Sequence, residues 1–172
     1  ARAEPARDRD GAAGAVDGLL HNVEADATAG GCAHLLARRE AGAFVVEGVR
    51  LVEEALMNGW PAQWLIYTAG LDGRGQAVVA GYAGLGAPVE EVSLQVMRSA
   101  SDTETPQGLL AILAARPIPL PDPLIFLFIP DQVRDPGNLG TMLRTAAAAG
   151  VQAVLLPPGS ADAYSPKVLR SA

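Results

Sequence analysis

The sequence predicts an α/β protein, with layered sheets flanked by helices. Three observations predict it. Between residues 32 and 115, short apolar runs alternate with stretches of helical periodicity. Residues 116–123, RPIPLPDP, then break the pattern with four prolines. Beyond them the apolar run LIFLFI at 124–129 opens a second unit that reads strand, loop, helix, strand. Prolines cannot donate to a sheet ladder and favour extended backbone, so 116–123 reads as the linker between two domains.

Composition narrows the function classes. A chain of 172 residues supports one domain or two small ones. Hydrophobic content of 49% with 19% charged residues suits a soluble globular protein. Aromatics at 5% argue against base stacking on aromatic platforms. No apolar run reaches the length of a membrane-spanning helix, and the first residues carry acids without an apolar core, unlike a secretory signal. Cys32 stands alone, which leaves no disulfide framework or thiolate metal site and fits a reducing, cytoplasmic compartment. His21 and His34 lack metal-ligand spacing, so no metal is expected. The net charge of −6 opposes a broad grip on nucleic acid, but the charge is uneven. Residues 131–172 hold four basic groups against three acids, so a local basic face remains open to this chain.

Residues 1–31, rich in Ala, Gly, Asp and Arg, read as a flexible arm. CAHLLARRE at 32–40 reads as a helix with Arg38 and Arg39 at its end. FVVE at 44–47 is a strand turned by Gly48, and 49–58 is an amphipathic helix closed by Gly59. A strand at 64–68, a helix at 75–84, a strand at 89–92, a helix at 94–101 and a strand at 109–114 complete the first unit. Glu47, Glu53 and Glu54 read as solvated or paired charges beside the helix.

The second unit carries the sharper pattern. Residues 124–129 form a buried strand between Pro123 and Pro130. In the helix that follows, Leu139, Met142, Leu143, Ala146 and Ala147 repeat as a core-facing stripe. Asn138 stands at the expected N-cap and Gly150 at the expected C-terminal stop. At about 100° per residue, Thr141, Arg144 and Ala148 face away from that stripe. Asn138 and Arg144 lie six residues apart, roughly 9 Å along a helix axis. An amide and a guanidinium can then face one cleft at the carboxyl end of the strand, where open α/β sheets bind ligands. A second strand at 151–156, a loop, and a helix from 167 with Pro166 in its first turn follow. Two strands cannot bury so apolar a run on both faces, so further polypeptide or a partner chain is expected over it.

The strings DPGNLGTMLRTAAAAG and DAYSPKVLRSA resemble the SpoU (TrmH-like) branch of the knotted SPOUT RNA 2′-O-methyltransferases. LLARREAGAFVVEGVRLVEEAL and SDTETPQGLLAIL are similar to that family's L30e-like substrate-binding domain. The resemblance covers roughly residues 32–172. It implies an L30e-like α/β RNA substrate-binding domain at 32–115, followed by the N-terminal part of an α/β-knot (SPOUT) methyltransferase domain at 124–172. It implies an enzyme that moves the methyl group of S-adenosylmethionine to a ribose 2′-hydroxyl, with ribosomal RNA favoured over transfer RNA, and a homodimer built through the knot. The family's first motif sets an asparagine and, six residues on, an arginine in the active site. The matching positions are Asn138 and Arg144. The two later motifs that form the methyl-donor pocket are not among these residues, so donor-binding residues stay unassigned.

A guanidinium stays protonated at any pH a folded protein meets and is a poor base. Arg144 is better suited to gripping a phosphate and stabilising alkoxide character as it develops. Arg134 in the loop, Lys167 and Arg170 on the last helix, and Arg38 and Arg39 in the first unit are the further RNA-binding candidates. The competing readings are an RNA-binding protein without catalysis and a doubly wound nucleotide-binding enzyme. DPGNLG is neither a GxGxxG fingerprint nor a Walker loop, and no carboxylate pair supports glycosidase chemistry.

Overall fold

The computed structural model describes residues 42–172 apart from 102 and 104. The arm at 1–31 and the helix expected at 32–40, with Arg38 and Arg39, lie outside the described residues.

The first unit is built on its most apolar strand. Strands β1 (Ala43–Glu47), β2 (Ala62–Tyr67), β3 (Val89–Glu91) and β4 (Leu109–Ala114) form one sheet in the order β1-β4-β2-β3. β4, LLAILA, runs antiparallel to both β1 and β2, and β3 runs parallel to β2. Its side chains alternate between two cores, as the strand period of two requires. Leu109, Ala111 and Leu113 meet Phe44, Val46, Val52, Leu65, Val78 and Tyr82 on the face covered by helices α1 (Val49–Met57) and α2 (Gly73–Gly84). Leu110 and Ile112 meet Ala43, Ile66, Met97 and Ala100 on the face covered by α3 (Leu94–Ala100). Both faces of β4 are covered, which is why it reads as an unbroken apolar run.

Local chemistry sets the helix starts. Asp72 caps α2 by accepting from the Gly75 amide at 2.8 Å, and Ser93 caps α3 by accepting from Val96 at 3.3 Å. Gly48, between β1 and α1, has φ +98°, and a side chain there would meet that of Gln107. Glu53 and Glu54 are paired as read, with Arg74 and Arg50. The Arg74 guanidinium holds the Glu53 carboxyl below its ordinary pKa. Glu47 departs from the reading. It is buried at the end of β1, because it accepts bonds from a loop 54 to 60 residues away that a local reading cannot see.

The second unit differs more from expectation. The strand expected at 124–129 shrinks to β5 (Leu127–Phe128), and that expected at 151–156 shrinks to β6 (Ala153–Val154). They pair in parallel, and Gln152 extends the ladder by accepting from the Ile125 and Phe126 amides at 2.7 and 2.9 Å. Burial of the run is also contradicted: Ile125 is 81% and Ile129 53% exposed. Leu124 and Phe126, which alternate with them, are exposed as well.

Helix α4 (Pro136–Ala148) connects β5 to β6, and Gly150 ends it with φ +77°. Its buried face is Leu139, Gly140 and Ala146, while Met142 and Ala147 of the expected stripe are exposed. The buried face is turned toward Gly140 because helix α5 (Pro166–Ser171) crosses there. A Cβ on Gly140 would lie 2.7 Å from the Val168 carbonyl oxygen and 2.8 Å from the Ser171 Cβ. α5 and the turn before it also reach the first sheet: Leu169 and Tyr164 pack on its core, and the Tyr164 ring meets Phe44 edge-on at 4.9 Å.

Two outcomes follow. Gly140→Ala forces α5 off α4 and lowers stability by roughly 1–3 kcal/mol in denaturant melts; an unchanged midpoint would contradict the close approach. Tyr82 is buried and donates to the Trp60 carbonyl at 3.2 Å, and burial pushes its phenol above the ordinary 10.0. The fold therefore favours the neutral phenol. That stability is fully present below the ordinary value and is lost as pH rises through the folded one. Tyr82→Phe removes this alkaline loss, which paired melts from pH 8 upward would detect.

Candidate active site

The loop from β5 to α4, residues 129–135, is tied down at its middle. The Ala161 amide donates to the Val133 carbonyl at 2.8 Å, so the loop after β6 holds the loop after β5. Gln132 beside it has φ +52°, a backbone setting that side chains rarely adopt. Arg134 is exposed on this loop.

The helix start is not where the sequence reading put it. Asp135 is the N-cap: its Oδ1 accepts from the Asn138 amide at 2.7 Å, and Pro136 takes the first helical position. The Asp-Pro pair was a readable start signal. Asn138 therefore lies inside the first turn. Its side chain is exposed and makes no hydrogen bond among the described residues. Arg144 is exposed as well and has no ion-pair partner among the described residues.

Asn138, Thr141 and Arg144 succeed one another at intervals of three, so they share the solvent side of α4. Thr141 is already engaged, donating to the Gly137 carbonyl at 3.0 Å. The free groups on this face are thus an amide at the helix mouth and a planar cation roughly 9 Å further along the axis. An amide can both donate to and accept from a sugar hydroxyl, and a guanidinium can take two phosphate oxygens at once.

The other candidates separate. Lys167 is exposed on α5. Arg170 turns toward the first unit, with its Nη1 4.0 Å from Glu47 Oε2. Every buried side-chain nitrogen and oxygen among the described residues has a hydrogen-bond partner. No contact to a methyl donor is assigned to the described residues.

Comparison with known proteins decides the family. The model described as the SpoU rRNA Methylase family matches residues 125–172, and that of the MRM3-like substrate binding domain matches residues 36–111. The 23S rRNA (guanosine(2553)-2′-O)-methyltransferase RlmP of Bacillus subtilis is 36% identical over 135 residues, covering 78% of this chain and 52% of its own. The chain belongs to the SpoU rRNA methylase family. Human mitochondrial rRNA methyltransferase 3 is also 36% identical, over 78% of this chain and 33% of its own length. The SpoU chain thus spans about half the length of the bacterial relative and a third of the mitochondrial one.

Solved structures agree. The AdoMet-bound rRNA methyltransferase of Sinorhizobium meliloti superposes with a TM-score of 0.67 at 34% identity, over 80% of this chain and 52% of that one. The SpoU methyltransferase AviRb of Streptomyces viridochromogenes, with AdoMet, gives 0.64 at 25% identity, over 78% and 51%. The α/β fold expected from the sequence is therefore shared with these methyltransferases over the half of their length that the chain covers.

The cap assignment can be separated from the site. Asp135→Ala lowers stability by about 1 kcal/mol, whereas Asn138→Ala leaves it nearly unchanged. Equal losses in denaturant melts would return the cap to Asn138.

Proposed function

We propose that this chain serves an RNA 2′-O-ribose methyltransferase that acts on 23S ribosomal RNA, with S-adenosylmethionine supplying the methyl group. The observation that carries the reading is the pair of unengaged groups on the solvent face of α4, Asn138 and Arg144, in a SpoU chain. The reaction asks three things of these residues: hold the RNA backbone, line up the ribose oxygen, and stabilise negative charge as its proton leaves. Arg144 grips a neighbouring phosphate and lowers the energy of the developing alkoxide. Asn138 orients the ribose through its amide. The 2′-hydroxyl proton goes to water, since a guanidinium does not accept it.

The substrate follows the relatives: RlmP is named for a 23S rRNA nucleotide. Residues 32–115 are the RNA-holding unit in this reading, with Arg38 and Arg39 on it, and 116–123 link it to the unit at 124–172. Arg134 and Lys167, exposed near α4, add backbone contacts. Such contacts read shape and phosphates, as the scarcity of aromatics requires. The working state is a cytoplasmic homodimer. Among the described residues no helix is long and apolar enough to cross a membrane, and no cluster of acids, His and Cys gathers to hold a metal.

The test is transfer of radiolabelled methyl from S-adenosylmethionine to 23S rRNA, 16S rRNA and tRNA, with the product mapped by resistance to alkaline cleavage. Label in 23S rRNA at a single ribose supports the proposal. Arg144→Lys keeps the charge but loses the planar fork, and lowers kcat on the order of 10²-fold. Near-normal turnover in that variant removes Arg144 from the chemistry. RNA binding without label supports a binding protein instead.

A further inference from the structure

Glu47 is a buried carboxylate that the methyl-transfer reading does not use. Its side chain is 5% exposed. Ser101 donates to Oε2 at 2.8 Å, Thr103 donates to Oε1 at 2.8 Å, and the Gln107 amide approaches Oε1 at 3.4 Å. All three donors are neutral and belong to the same unit as Glu47. A buried charge met only by neutral donors is unfavourable, and such charges are normally balanced by an opposite one. The cation that faces Glu47 comes from the other unit: Arg170 of α5, at 4.0 Å. That distance is beyond hydrogen-bond reach, so the attraction is one of charge.

The contacts continue to α4. Arg170 stands beside Ser171 and two residues after Val168, which meet Gly140 of α4 with no room for a side chain. Arg144 is one helical turn beyond Gly140. An unbroken path therefore runs from Glu47 through α5 to the helix that carries Asn138 and Arg144.

We propose that Glu47 and Arg170 form a latch between the two units, and that Glu47 is a positioning residue which sets the angle of α4 against the RNA-holding sheet. Arg170, expected from the sequence to contact phosphate, is in this role the counter-ion of Glu47. The geometric part stands on the contacts alone, and the catalytic consequence rests on the methyltransferase reading above.

The experiment places spin labels at Met57→Cys on α1 and Ala148→Cys on α4, both exposed, in a Cys32→Ser background. The distance between them is measured by pulsed dipolar spectroscopy. The parent protein gives one narrow distribution. Glu47→Gln and Arg170→Gln each broaden it, the double variant is no broader than the singles, and Arg170→Lys restores it. Arg170 is 34% exposed, so its variants are tolerated even where Glu47→Gln unfolds the loop around it. A distribution that stays narrow in Arg170→Gln overturns the latch.

In methyl-transfer assays the same variants lower kcat roughly tenfold while KM for RNA changes less than about twofold, since misplacement of α4 affects the reacting geometry. A rise in KM at constant kcat returns Arg170 to phosphate binding and overturns the positioning role. A parent protein that transfers no methyl sinks the proposed reaction, yet the distance measurement still decides the latch.

Discussion

The structure depends on one short helix being able to touch two things at once. α5 has six residues, yet it lies against Gly140 of α4 on one side and against the edge of the first sheet on the other. The first contact needs a residue without a side chain, because the Val168 carbonyl and Ser171 fill the space where a Cβ would be. The second needs apolar and charged surface together: Leu169 on the core and Arg170 opposite Glu47, with Tyr164 of the preceding turn on Phe44. Six residues cannot hold a helix in water on their own. Tertiary packing on both sides stabilises α5, and α5 in turn orients the two sheets.

The first unit was legible because its physics is local and periodic. A strand covered on both faces reads as LLAILA, and helices with caps and terminal glycines announce their limits. The second unit was legible in its order but not in its extent. LIFLFI has the composition of a buried strand, yet a strand persists only as far as a partner pairs with it. β6 offers two residues of ladder, and the run is left mostly exposed. Composition records what a segment is suited to, and cover from other parts of the fold is not written in the segment itself.

The site divides in the same way. Asn138 and Arg144 could be placed from spacing alone, because helix geometry fixes which residues share a face. The N-cap was misplaced by three residues because the reading began at the first apolar position and overlooked Asp135 before Pro136. Glu47 was the larger miss. In sequence it stands among other acids ahead of an amphipathic helix, where a solvated charge is the ordinary outcome. Its partners are Ser101, Thr103 and Gln107, with Arg170 far down the chain. No local periodicity carries that information.

Charge sets the terms on which RNA can be held. The chain is acidic overall, so diffuse attraction to a polyanion is weak and contacts must be made one at a time. In the last 42 residues Arg134, Arg144, Lys167 and Arg170 are exposed, and Arg170 also faces a carboxylate. In the proposed reaction so few exposed cations release few counterions on binding, which gives a modest affinity with a shallow salt dependence. The proposed chemistry gains from this arrangement. A catalytic helix that bound RNA tightly by itself would stabilise ground and transition states alike and accelerate nothing. In the proposed reaction, affinity is better supplied by the first unit, with α4 left to engage the ribose as charge develops there. The division works only while the first sheet and α4 keep a fixed relation, which is the task the packing of α5 performs.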